Sequence, residues 1–203
     1  MKIFVYGFPH SGTTILRKII GSHSKIMDWY RETMDVPRNI KMPVVFKMPA
    51  LPDNRQENCK RIMIMKNPYD IFGSFYLRFG DKYLTYPGRM IKDYETFVEH
   101  FLSTDDFTIK YEELKSRLPE LFEHLGFEYE GIKRLRGGAG KGYYLNTPKR
   151  KPKSQEDGPD HAYYRLWQIN QPFKDMTGQS AKFLPDEGRK LIEKSEIIKK
   201  LYG

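Results

Sequence analysis

The sequence predicts an α/β fold of three layers, a mostly parallel central sheet with helices on both faces. Three observations carry this expectation. Short β-branched and aromatic runs alternate with amphipathic helical stripes. The first such run, Lys2–Gly7, ends on glycine and hands over to a helix-forming stretch. At 203 residues the chain is about one domain long. With no internal repeat or strong linker, residues 1–203 read as a single domain with a basic Gly/Pro-containing region at about 131–160.

Each element has its own local reason. Lys2–Gly7 suits a buried strand. In the helix from Gly12 to Gly21, Ile15, Leu16, Ile19 and Ile20 share one face. Val44–Lys47 and Arg61–Met65 read as further strands, and Asn67-Pro68 marks the next helix start by cap and first-turn proline. Ile71, Phe72, Phe75, Tyr76 and Phe79 continue that helix as an apolar stripe. Met90–Leu102 reads as helix and Phe107–Lys110 as strand. Leu114, Leu118, Leu121, Phe122 and Leu125 form an amphipathic helix closed by Gly126. Pro185–Leu201 is expected as one surface helix rich in lysine and glutamate.

Composition narrows the function classes. Hydrophobic residues at 39% and charged residues at 30% give a globular rather than a disordered balance. No apolar run approaches the ~20 residues of a membrane span. The N-terminal apolar run is too short for a signal peptide and is interrupted at Pro9-His10-Ser11, so the expected compartment is the cytoplasm. One cysteine, Cys59, excludes an intrachain disulfide and multi-cysteine zinc sites. The net charge of +9 points to an anionic partner, either nucleic acid, an acidic membrane or a polyanionic small molecule. Eight lysines and arginines with no acid between Gly131 and Gln155 form a basic loop, read equally as a solvated surface or an anion contact.

Gly7-Phe8-Pro9-His10-Ser11-Gly12-Thr13-Thr14 is the most informative stretch. Between a strand and a helix, its glycines allow close backbone approach, and the first helical N–H groups and threonine hydroxyls face one anion. The Gly7…Gly12 spacing matches a nucleotide-binding P-loop, so the expected fold is P-loop NTPase-like. Thr13 stands where that loop requires lysine, which disfavours an ordinary ATPase or kinase.

Pro9-His10-Ser11-Gly12-Thr13-Thr14 resembles the 5′-phosphosulfate loop, Pro-Lys/Arg-Ser-Gly-Thr-Thr, of sulfotransferases that use 3′-phosphoadenosine 5′-phosphosulfate (PAPS). His10 takes the basic position. The resemblance continues at the family's 3′-phosphate motif, Arg-Asn/Asp-Pro with a serine eight residues after the arginine. Here Lys66-Asn67-Pro68 precedes Ser74, with lysine keeping the charge but not the bidentate fork. Helical spacing groups Asn67, Asp70, Ser74 and Arg78 on a polar face. Tyr111-Glu112-Glu113-Leu114 is similar to the family's Tyr-Glu-Asp-Leu, which makes Tyr111 a candidate against adenine or a packed aromatic. The resemblance covers roughly residues 1–127. The family's Arg-Lys-Gly closing loop has no plain match; Arg136-Gly137-Gly138 or the Lys149–Lys153 cluster are its candidates.

The resemblance implies sulfonate transfer from PAPS to a hydroxyl or amine, with no metal. His10, Ser11, Gly12, Thr13, Thr14, Lys66, Ser74 and Tyr111 would bind the nucleotide. Lys47-Met48-Pro49 matches the family's Lys-Thr pair and following histidine base, with the lysine retained and Pro49 in the histidine slot; at a strand end facing the loop, Lys47 is the candidate to stabilise the transferring sulfonate. Trp29–Thr33 with Val36-Pro37-Arg38 is similar to the tyrosine-modifying branch, which makes Glu32 the first candidate base. His10, His23 and Asp28 follow, and His100, His124 and His161 read as surface or packing residues. The rival readings are a divergent kinase-like P-loop enzyme and a non-catalytic basic nucleic-acid-binding domain acting through the 131–155 loop. Nucleic acid is disfavoured because no helix-turn-helix, zinc-finger or RNA-binding signature appears.

Overall fold

Ile3, Phe4, Val5 and Tyr6 are all buried, which only a central strand covered on both faces permits. In the computed structural model, which describes residues 1–32, 41–48, 51, 59–80, 87–131 and 175–202, they form β1 (Lys2–Tyr6). Its companions are β2 (Met27–Glu32), β3 (Val44–Lys47), β4 (Cys59–Met65) and β5 (Phe107–Lys110). The five strands are all parallel, in the order β2-β3-β1-β4-β5.

Alternate residues feed two separate cores. Ile3 and Val5 meet Leu16, Ile19 and Ile20 of α1 (Thr13–Gly21), together with Leu114, Leu118 and Leu121 of α4 (Leu114–Leu125). Phe4 and Tyr6 meet the opposite layer, built by α2 (Pro68–Phe79), α3 (Pro87–Ser103), α5 (Asp186–Glu193) and α6 (Glu196–Tyr202). The three-layer expectation holds.

The order of strands positions the site. From β1 the chain crosses towards β2 and β3; from β4 it continues the other way, to β5. The order therefore reverses between β1 and β4, and α1 and α2 leave that crevice on opposite faces of the sheet. Open parallel sheets bind ligands at such a point.

Two expectations need correction. β2 is a strand that the sequence does not announce, because charges at Asp28, Arg31 and Glu32 hide the apolar signature. Among the described residues it is an edge strand paired with β3, and its register shifts between Asp28 and Glu32. The C-terminal helix is two helices, α5 and α6. Ser195 divides them: its hydroxyl accepts the Ile198 N–H at 3.4 Å and donates to Glu95 at 2.5 Å. The Asn67-Pro68 start behaves as read, with Asn67 Oδ1 accepting the Tyr69 N–H at 3.0 Å. Among the described residues no helix is long and apolar enough to cross a membrane.

On the flank of α1, Arg17 Nε meets Asp28 at 2.9 Å, both side chains buried. Lys18 is also buried, and desolvation, partly offset by Asp28, pushes its ammonium from 10.5 down to about 7. Above that value the folded chain has released a proton that the unfolded chain keeps. The stability of the wild type relative to Lys18→Met should therefore rise as pH climbs from about 7 towards 10.5. Urea melts of both proteins across this window test it, and parallel pH courses would overturn it.

Candidate nucleotide site

The loop after β1 is shaped by glycines that no other residue could replace without displacement. A Cβ on Gly7 would lie 2.0 Å from the Ile64 carbonyl oxygen of β4 and 2.7 Å from Ser11 Oγ. Gly12, the N-cap of α1, holds φ at +100°, and a Cβ there would meet the Tyr111 ring at 2.6 Å. His10 also sits in the left-handed region, with φ of +68°. Non-glycine residues adopt that conformation at some cost, and it is concentrated at ligand sites.

These turns aim donors at one place. Ser11 is buried, its N–H donates to the Phe8 carbonyl at 3.0 Å, and its hydroxyl has no hydrogen-bond partner among the described residues. Thr13 is buried and Thr14 half-buried at the start of α1. The first intrahelical bond runs from Leu16 N–H to the Gly12 carbonyl at 3.0 Å, so the N–H groups before it have no acceptor within the helix. No acidic residue occupies the first turn of α1. The tip has the geometry and the dipole that favour an anion.

The second motif lies against the first. His10 Nδ1 and Ser74 Oγ share a hydrogen bond of 2.9 Å, although 64 residues separate them. The imidazole also stacks on Phe75, with ring centroids 4.1 Å apart and planes at 22°. Lys66, at the end of β4, is buried, with its ammonium 4.6 Å from the centre of the Tyr111 ring that backs Gly12. Tyr111 thus joins Gly12 to Lys66, and His10 joins the first loop to Ser74 of α2. Tyr111 is itself buried, and its phenol is pushed up by that burial.

Asp70 departs from its expected place on an open polar face. It is buried, and its carboxylate accepts the N–H groups of Gly178 at 2.6 Å, Ser180 at 3.0 Å and Ala181 at 3.1 Å. Lys66 stands 3.5 Å from the same carboxylate and 3.4 Å from the Met176 carbonyl. The segment 175–181 is therefore bound across the start of α2 and over Lys66. It fits α2 closely: a Cβ on Gly73 would come within 2.0 Å of the Ser180 carbonyl oxygen. Within it, the N–H and hydroxyl of Thr177 donate to Asp175, holding that carboxyl below its usual range.

The candidate closing elements, Arg136–Gly138 and Lys149–Lys153, lie outside the described residues, and nothing in the sequence expectation involves the 175–181 segment. An Asp-x-Thr-Gly turn just before a helix was its local signal. Beside it, a cavity of 380 Å³ is lined by Asn67, Tyr69, Asp70, Thr177, Arg189 and Glu193 among others.

The candidate catalytic residues lie along the same sheet edge. Lys47 ends β3 opposite Val5, and the following Met48 N–H donates to the Val5 carbonyl at 2.9 Å. Lys47 is half-buried, and the Glu32 backbone is in register with it across β2 and β3. The Glu32 and Arg78 side chains, Thr33, Val36–Arg38, Pro49 and His161 lie outside the described residues. Two weaker base candidates are occupied elsewhere. Asp28 is paired with Arg17, and His23 packs between Phe122 and Phe127 with Nε2 3.1 Å from the Glu128 carbonyl. His100 meets Tyr6 and His124 packs on Phe107, as expected of packing residues. No group of three or more His, Cys, Asp or Glu able to hold a metal occurs among the described residues.

The fold has counterparts among solved structures. The mouse sulfotransferase SULT7A1 complexed with PAP superimposes with a TM-score of 0.61 at 14% identity, covering 99% of this chain and 88% of that one. The chain has the sulfotransferase fold. Retinol dehydratase, in complex with androsterone and inactive cofactor PAP, matches with a TM-score of 0.54 at 16% identity, covering 98% of this chain and 80% of the other. Its complex with retinol and PAP gives 0.52 at 14% identity, with coverage of 98% and 80%. No family model matches the sequence, and no curated protein matches it.

Within this sulfotransferase fold, Asp70 is the fastening of the 175–181 segment. Asp70→Ala leaves three backbone N–H groups and the Lys66 ammonium without their carboxylate, at a cost of ~2–4 kcal/mol. Hydrogen exchange should accelerate at Gly178, Ser180 and Ala181 well before the sheet amides. Uniform exchange loss, or none, would contradict this assignment.

Proposed function

We propose that this chain transfers a sulfonate group from PAPS to a hydroxyl or amine of an acceptor, leaving adenosine 3′,5′-bisphosphate. The observation that carries this reading is the 2.9 Å contact between His10 and Ser74, which joins two anion-binding motifs into one site. Neighbours of the same fold crystallised with PAP support it. The loop His10–Thr14 holds the 5′-phosphosulfate, Lys66 and Ser74 hold the 3′-phosphate, and Tyr111 forms the wall between them.

The reaction follows from those placements. An acceptor oxygen or nitrogen attacks sulfur, and the bond from sulfur to the bridging phosphate oxygen breaks. Charge develops on that oxygen, where His10, the α1 N–H groups and Lys47 stabilise it. Glu32 takes the proton that the acceptor loses. A single half-buried cysteine suits a reducing cytoplasm.

Calorimetry with adenosine 3′,5′-bisphosphate tests the reading. The bisphosphate should bind more tightly than ATP, and Ser74→Ala combined with Lys66→Ala should weaken it on the order of a hundredfold. ATP binding in preference would favour the kinase-like reading. Thr13→Ala should weaken adenosine 5′-monophosphate and the bisphosphate alike, because both carry the 5′ group.

A further inference from the structure

Behind Lys66 lies a buried polar layer that sulfonate transfer leaves unused. Glu112, in the short 3₁₀ turn Tyr111–Glu113, accepts the Asn67 N–H through Oε1 at 2.8 Å. Its other oxygen, Oε2, is sealed from solvent and has no hydrogen-bond partner among the described residues. A carboxylate in that condition is costly unless a charge nearby compensates it. Lys66 and Asp70 face it from the β4–α2 junction, Tyr94 from α3 and Tyr202 from α6. The Tyr94 hydroxyl donates to the Lys66 carbonyl at 2.8 Å. Burial holds both phenols well above their ordinary range, so neither supplies charge.

Glu112 is therefore poised between opposing influences. Burial raises its carboxyl, and the hydrogen bond from Asn67 and the charge of Lys66 pull it back. An anion seated on Lys66 engages that counter-charge and adds negative charge of its own. Both changes favour a proton on Oε2, while Oε1 goes on accepting the Asn67 N–H and keeps the start of α2 in place. We infer that Glu112 is a positioning residue coupled to a proton: an anion bound at Lys66 is accompanied by a proton that moves from solvent onto Glu112 Oε2. The inference rests on the nucleotide reading above and specifies how that site responds to pH.

The test measures protons as well as affinity. Calorimetry of the full chain with adenosine 3′,5′-bisphosphate, in two buffers of different ionisation enthalpy, gives the proton count on binding. The wild type should take up a larger fraction of a proton than Glu112→Gln, and its affinity should fall more steeply as pH rises above the ordinary carboxylate range. Adenosine 5′-monophosphate, which lacks the 3′ group, should show no such difference between the two proteins. Glu112→Asp should restore part of the uptake. Equal proton counts for wild type and Glu112→Gln with the bisphosphate would overturn the role of Glu112 and leave the nucleotide site standing. Should Glu112→Gln fail to fold, equal pH courses for the bisphosphate and the monophosphate in the wild type would overturn it equally. No bisphosphate binding by the wild type would instead sink the nucleotide reading, and this inference with it.

Discussion

Parallel pairing on both sides of β1 is the constraint from which the rest of the molecule follows. With β3 on one side and β4 on the other, the helices that follow β1 and β4 must lie on opposite faces, yet both must start at the same edge. Each helix start carries about half a positive charge. Bringing two together concentrates unsatisfied donors, and the sequence meets this with residues that do not cancel it. The first turn of α1 has no acid, and the one acid in the first turn of α2, Asp70, is turned into the backbone N–H groups of 178–181.

The interior explains why this edge keeps its shape. Phe8 packs against Phe72, Phe75, Tyr94 and Phe97, so the loop leaving β1 is anchored on the same aromatic cluster that seats α2 and α3. Phe75 belongs to that cluster and also supports the His10 ring. Packing and site are therefore one assembly. A dense interior resists small displacements, so the 2.9 Å contact between His10 and Ser74 inherits the rigidity of the core.

What was legible in the sequence had local causes. β1, its glycine loop and the Asn67-Pro68 start each declare themselves within a few residues, through apolar runs, left-handed turns and caps. The meeting of the two motifs was also legible, because βα units in a parallel sheet bring successive helix starts to one edge. β2 was not, since a charged edge strand resembles a loop until its partner is known. The 175–181 segment was hidden for a different reason: Asp70 and Ala181 are 111 residues apart, and no local pattern reports so distant a partner. The same holds for Glu112, whose importance lies in the Asn67 N–H 45 residues away.

Gly73 gives the arrangement an unexpected lever. The helix surface there has a notch one hydrogen atom deep, and the Ser180 carbonyl rests in it. A methyl group at that position would act as a wedge, prying the overlying strip of chain from α2 while leaving every anion-facing group chemically intact. The fastening of that strip and the groups at the starts of α1 and α2 are thereby separable by one substitution at Gly73.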